Sequence, residues 1–160
     1  MWCWDFASGR TVGGTTLKRL SIVDEYTREC VAQKVERHQT SEGVVRALAE
    51  VSGGRGFPRS IRVDNGPEFI SRSLDWWAYF HGVKLDFSRP GKPTDNAFIE
   101  SFNGKFREEC LNQHWFLSLQ EAQATMDAWR EDYNGCRPHS SLGNRTPSEF
   151  ASCSAGARPR

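Results

Sequence analysis

The order of its apolar patterns constrains this chain most. Three strand-like segments come first, and helical and strand-like segments alternate after them. Trp2 to Ala7 is short and aromatic. Leu17 to Asp24 sets Leu20, Ile22 and Val23 among polar residues, and Cys30 to Val35 follows a short turn. Strand-like runs joined this closely are expected to pair antiparallel. Ser41 to Val51 places Val44, Val45, Leu48 and Val51 at helical spacing and is expected to end at the glycine-rich SGGRGFP.

A fourth strand, SIRVD, ends at Asp64. A helix over Ser71 to His81 turns Leu74, Trp77, Ala78 and His81 to one side, and Val83 to Phe87 is a fifth strand. A crossover of this kind joins parallel strands. RPGKPTD is a loop, and Asn96 to about Asn112 is a helix. A further helix opens at a Ser118–Glu121 capping box and carries the stripe Leu119, Ala122, Met126, Trp129 and Tyr133. After the loop NGCRPHSSLGNR, a second box runs from Thr146 to Glu149, with Pro147 at the first helical position. The expectation is one α/β domain over residues 1–150, a mixed five-stranded sheet (three antiparallel strands, then two parallel) flanked by helices. Residues 151–160 are expected to form a disordered tail.

At 160 residues and 38% hydrophobic, the chain suffices for one core. The net charge of +1 gives no general basic surface, so any phosphate-binding surface must be local. No stretch approaches the roughly 18 to 20 apolar residues that cross a bilayer, so no membrane partner is expected. The opening MWCWDFASGR does not read as a secretory leader. Five scattered cysteines without CxxC spacing read as reduced thiols in a cytoplasm, and not as a zinc site.

Acids fall at telling places. Asp5 interrupts an aromatic strand, where an unpaired carboxylate is costly to bury. Asp64 ends the fourth strand, and ligands of open α/β sheets gather beyond the carboxyl ends of strands. Glu100 shares a helical stripe with Asn96, Asn103 and Arg107, beside the apolar Ile99, Phe102, Phe106 and Cys110. Three carboxylates without a His/Cys cluster suit a hard cation, Mg²⁺ or Mn²⁺. Two such ions can clamp the attacking and leaving oxygens of a phosphodiester displacement. Each acid also has an ordinary reading: Asp5 pairing with a core arginine, Asp64 opening a turn, Glu100 facing solvent.

The runs DNGPEF (Asp64 to Phe69) and ESFNGKFR (Glu100 to Arg107) leave 35 residues between Asp64 and Glu100 (100 − 64 − 1). This arrangement resembles the DDE transposase and retroviral integrase superfamily. WCWDF, VDEYTRE, PGKPTDNA, DYN and RPHSSLG, in that order, narrow the resemblance to the second-frame (OrfB) product of the insertion-sequence-three family, over about residues 2 to 150. The resemblance implies a ribonuclease-H-like fold and Mg²⁺-dependent cleavage at transposon ends. It also implies transfer of the freed 3′-hydroxyl into target DNA, with Asp5, Asp64 and Glu100 as catalytic metal ligands. Arg107 matches a basic position suited to a terminal phosphate.

Asn65, Asn96 and Asn103 are candidates for binding DNA or orienting the acids, with capping and turn roles as alternatives. Lys92 and Lys105 are candidates for phosphate contacts. Asp24, beside Arg28, competes as a first acid; WxxDF assigns that role to Asp5 and leaves Asp24 a structural one. Trp76, Trp77, Tyr79 and Phe80 are candidates for base stacking or packing. His139 lies outside the acid group, and its loop is assigned to packing or DNA positioning.

The resemblance implies a helix-turn-helix region ahead of WxxD, and the sequence as given begins one residue before that motif. Two readings follow: a strand-transfer core whose recognition parts lie on a first-frame (OrfA) partner or fused product, or a non-catalytic remnant competing for DNA or full-length transposase. Holding two DNA ends implies a homo-oligomer. The expected location is the cytoplasm, at the nucleoid when bound to DNA.

Overall fold

The computed structural model describes residues 1–64, 71–92 and 97–155. Its strands are β1 (Trp2–Arg10), β2 (Thr16–Asp24), β3 (Cys30–Glu36), β4 (Ser60–Val63) and β5 (Lys84–Phe87). Its helices are α1 (Ser41–Arg55), α2 (Arg72–Phe80), α3 (Ala97–Glu109), α4 (Leu119–Cys136) and α5 (Pro147–Ser154). The sheet order is β3-β2-β1-β4-β5. β1–β2 and β2–β3 are antiparallel, and β4 lies parallel to both β1 and β5. This is the mixed five-stranded sheet that the sequence pattern predicts.

Alternation along the strands builds two unlike faces. Trp2, Trp4, Leu20, Ile22 and Ala32 pack under α1 and α2, against Val44, Leu48, Leu74 and Trp77. Cys3, Leu17, Val23 and Cys30 lie on the opposite face, with Phe102 and Phe106 of α3 and Met126, Trp129 and Tyr133 of α4. That second face also takes polar residues. Asp5 lies opposite Ser21, and Ser21 opposite Gln33, making a polar row across three strands, with buried Arg19 two residues before Ser21. Ser21 Oγ and the Gln33 amide, both buried, find no hydrogen-bond partner among the described residues. Each such atom costs about 1–3 kcal/mol. Part of that expense falls on the polar row that includes Asp5.

β3 would be an open edge, but α4 covers it. Gln123 accepts from the Val35 N–H at 2.8 Å and donates to the Gln33 carbonyl at 2.9 Å. Asn134 does the same for both backbone groups of Cys30, each at 2.9 Å. Arg130 donates to the Val31 carbonyl between them. Two side-chain amides thus act as a surrogate strand, and the DYN motif acquires a role: Tyr133 packs in the core and Asn134 seals the edge.

Three boundaries differ from expectation. β1 continues past Ala7 to Arg10, paired with β2 throughout. α1 runs through Gly53 and Gly54, because Ser52 is buried and Arg55 is ion-paired to Glu29. That anchoring offsets about 1 kcal/mol per helical glycine. The helix ends at Gly56, whose φ of 81° suits glycine. α5 extends to Ser154, four residues past the expected domain limit, behind the complete Thr146–Glu149 capping box. At α4, Ser118 caps as expected, while Glu121 accepts from the Leu117 N–H instead of its own cap. Cys3, Cys30 and Cys110 are buried, and burial pushes the Cys30 and Cys110 thiols up to about 12 and about 11.

Candidate active site

β1 and β4 bring the first two acids together. Their register pairs Trp2 with Ile61 and Cys3 with Arg62. The same offset sets Asp64, which immediately follows β4, level with Asp5 on the neighbouring strand, where parallel strands lie about 4.8 Å apart. α3 packs against β1 and supplies the third acid from its first turn. One helical turn after Glu100, Asn103 reaches Asp5: its Nδ2 donates to Asp5 Oδ2 at 2.5 Å.

Asn103 is held from behind by Arg19. Arg19 is 1% exposed, and its guanidinium lies 3.9 Å from the Phe106 ring centre and donates from Nη2 to Asn103 Oδ1 at 2.6 Å. Arginine can only donate, so the Asn103 oxygen must face it, and the amide nitrogen must face Asp5. The chain Arg19–Asn103–Asp5 therefore has one polarity. It orients the Asp5 carboxylate as an acceptor. Burial pulls Arg19 down to about 10, still cationic at neutral pH. Its Nε and Nη1 find no partner among the described residues. The ordinary reading of Asp5, a core arginine partner, is thus realised through an intervening amide.

Electrostatics link Asp5 to the other two acids. Burial raises the Asp5 pKa; the Phe6 amide and Arg19 lower it, and Asp64 and Glu100 raise it again. A group whose folded pKa lies above its unfolded value costs stability as pH rises from the unfolded value through the folded one. Asp5→Asn is therefore expected to raise the melting temperature at pH 7, by roughly 2–4 °C for each kcal/mol gained. The gain should shrink toward pH 3. Thermal melts across that range check this, and a gain independent of pH would sink the coupling.

The other expected residues fall in several places. Asn65 and Asn96 lie outside the described residues. Lys92 is exposed in the loop after β5. Lys105, half a helical circumference from the Glu100 stripe, stands on the far flank of α3, where it lowers the pKa of His139 after the larger effect of burial. His139 sits edge-on to the Tyr133 ring, 5.2 Å away, and Leu142 is buried, so RPHSSLG packs the α4–α5 corner. Asp24 is buried, accepts from the Tyr26 N–H and lies 3.8 Å from Arg55. Arg28 instead lays its guanidinium over Phe98. Trp77 packs in the core, while Trp76, Tyr79 and Phe80 are exposed on α2 and contact one another. Arg19 had escaped the sequence reading; its shared parity with Leu17, Ser21 and Val23 was the available signal.

Two integrase core domain models match, at residues 1–93 and 81–147. The chain belongs to the integrase core domain family. The "Insertion element IS407 uncharacterized 31.7 kDa protein" of Burkholderia multivorans is 50% identical over 151 residues, 94% of this chain and 54% of that protein. "Transposase InsF for insertion sequence IS3A" of Escherichia coli is 28% identical over 152 residues, covering 93% of this chain and 52% of the transposase. This integrase core thus spans about half the length of the curated relatives it matches. Among solved structures, the HTLV-2 integrase catalytic core in complex with magnesium superposes with a TM-score of 0.69 at 18% identity, covering 93% of each chain. That likeness shows the ribonuclease-H-like fold.

Among the described residues, no three His, Cys, Asp or Glu side chains stand together as a ready metal cage. The donor chemistry nonetheless fits a divalent ion: three acids, one of them oriented by Asn103 and raised by the other two. No helix of the described residues is long and apolar enough to cross a membrane.

Proposed function

We propose that this chain is the catalytic core of a DNA transposase, performing metal-dependent strand cleavage and transfer. The observation that carries the reading is that Asp64 and Glu100 both act electrostatically on the half-buried Asp5, which Asn103 orients. Asp5, Asp64 and Glu100 would hold Mg²⁺ or Mn²⁺, two ions in the full site. Bound there, the ions would activate the attacking hydroxyl and neutralise the leaving 3′-oxygen. The protein would contribute alignment: β1 would present Asp5, the end of β4 Asp64, and the first turn of α3 Glu100. Magnesium in the HTLV-2 core supports the choice of ion. Arg107, exposed two turns beyond Glu100 on the same stripe, and Lys92 would contact DNA phosphates. The partners are transposon-end and target DNA, with a second copy or a first-frame helix-turn-helix protein supplying the rest of the assembly.

The test mixes the chain with Mn²⁺ or Mg²⁺, precut element ends and target DNA. Metal-dependent joining is expected. Retained DNA binding without joining would instead favour a competitor of full-length transposase. Arg19→Met, which keeps an unbranched side chain over Phe106, should lower joining by about 10- to 100-fold while the protein stays folded. It frees the Asn103 amide to turn, and misplaced catalytic groups cost about that much. A shift in the Mn²⁺ titration midpoint distinguishes lost positioning from lost folding; unchanged joining and unchanged metal affinity would remove Arg19 from the mechanism.

A further inference from the structure

A cleft of about 480 Å³ lies where the end of β1 meets the segment after α3. Its walls include Ser8, Arg10, Arg107, His114, Trp115 and Phe116, and no Asp or Glu lines it. Three arginines of this chain are neutralised by acids: Arg55 by Glu29, Arg62 by Glu25, and Arg137 by Glu109 and Asp132. The side chains of Arg10 and Arg107 are both exposed and make no hydrogen bond or ion pair among the described residues. Two unneutralised guanidiniums share one concave surface.

Trp115 is 86% exposed and makes no ring contact among the described residues. It is not a frayed residue. His114 Nδ1 lies 2.8 Å from the Cys110 carbonyl, Phe116 is buried, and the Phe116 carbonyl accepts from the Val12 N–H at 2.9 Å. Both neighbours are tied down, so the indole between them is displayed. A free aromatic face beside two free guanidiniums matches one ligand chemistry: a planar base attached to phosphates.

We infer that this cleft binds an unpaired nucleotide of the DNA strand next to the reactive phosphodiester, stacking its base on Trp115 and its phosphates on Arg10 and Arg107. The inference rests on the proposed function, because Arg107 lies roughly 10 Å along α3 from Glu100 and so ties the cleft to the acid site. The base must be unpaired. Inside a duplex both of its faces are already stacked.

The experiment measures binding without catalysis, by fluorescence anisotropy in EDTA with Asp64→Asn protein. The probes are a blunt duplex, the same duplex with a two-nucleotide single-stranded overhang, and one with an abasic overhang. The overhang should tighten binding, and Trp115→Ala should weaken overhang binding by about 5- to 100-fold. Trp115→Phe should retain most of it, and the effect of Trp115→Ala should vanish on the abasic overhang. Arg10→Ala should make the salt dependence shallower, by about 0.7 in log–log slope for each phosphate it no longer neutralises. Wild-type overhang binding by Trp115→Ala, or an equal loss on blunt and overhang DNA, overturns the assignment. Because no joining is required, overhang-specific binding supports the cleft even where the metal site fails its own test.

Discussion

Asp64→Asn is expected to cut strand joining at least about a thousandfold, about 4 kcal/mol of transition-state stabilisation, while leaving the fold intact. The substitution keeps the shape of the side chain and removes the charge that would hold a cation. Asp64 is exposed just beyond β4, so the stability change should stay within about 0.5 kcal/mol. The matched control is Asp24→Asn. That acid is buried, accepts a backbone N–H and lies beside Arg55. Its loss should cost about 1–3 kcal/mol of stability, with joining per folded molecule preserved. Joining assays paired with urea titrations separate the two. Should Asp64→Asn join at the wild-type rate, the carboxylate site is wrong; should Asp24→Asn abolish joining at full stability, Asp24 belongs to the reacting centre.

The second large effect concerns stability alone. The double variant Gln123→Ala, Asn134→Ala removes four hydrogen bonds between α4 and the backbone of β3. At about 0.5–1.5 kcal/mol each, and with some water replacing them, a loss of about 2–4 kcal/mol is expected. The uncovered edge should also promote association. Urea midpoints and light scattering measure both effects. Gln120→Ala, at an exposed position on the same helix, serves as the reference. A double variant as stable and monodisperse as that reference would show that the amides are ornamental.

Much of this was legible beforehand, for physical reasons. Period-two and helical apolar patterns are written in single residues, so the five strands and the helices could be placed. The α1 terminus was misplaced because the glycines are visible in sequence and the Arg55–Glu29 anchor is not. Asn103 belonged to the polar stripe as read, but it sits at the border of the buried face. Only the folded chain shows that it turns inward to Asp5. Arg19 looks like a solvated strand residue until one notices that it shares its face with Leu17 and Val23, both buried. Trp115 lies in a short unpatterned segment, so nothing before folding marks it as displayed.

The strand order has a consequence for biosynthesis. β1 leaves the ribosome well before β4, yet it is central in the sheet and pairs with β4, more than fifty residues later. α3, which carries Glu100 and the Asn103 support for Asp5, emerges later still. Contacts this distant in sequence form slowly. On the proposed function, a nascent or interrupted chain would hold its acids apart, and the three would come together only once α3 had packed against β1.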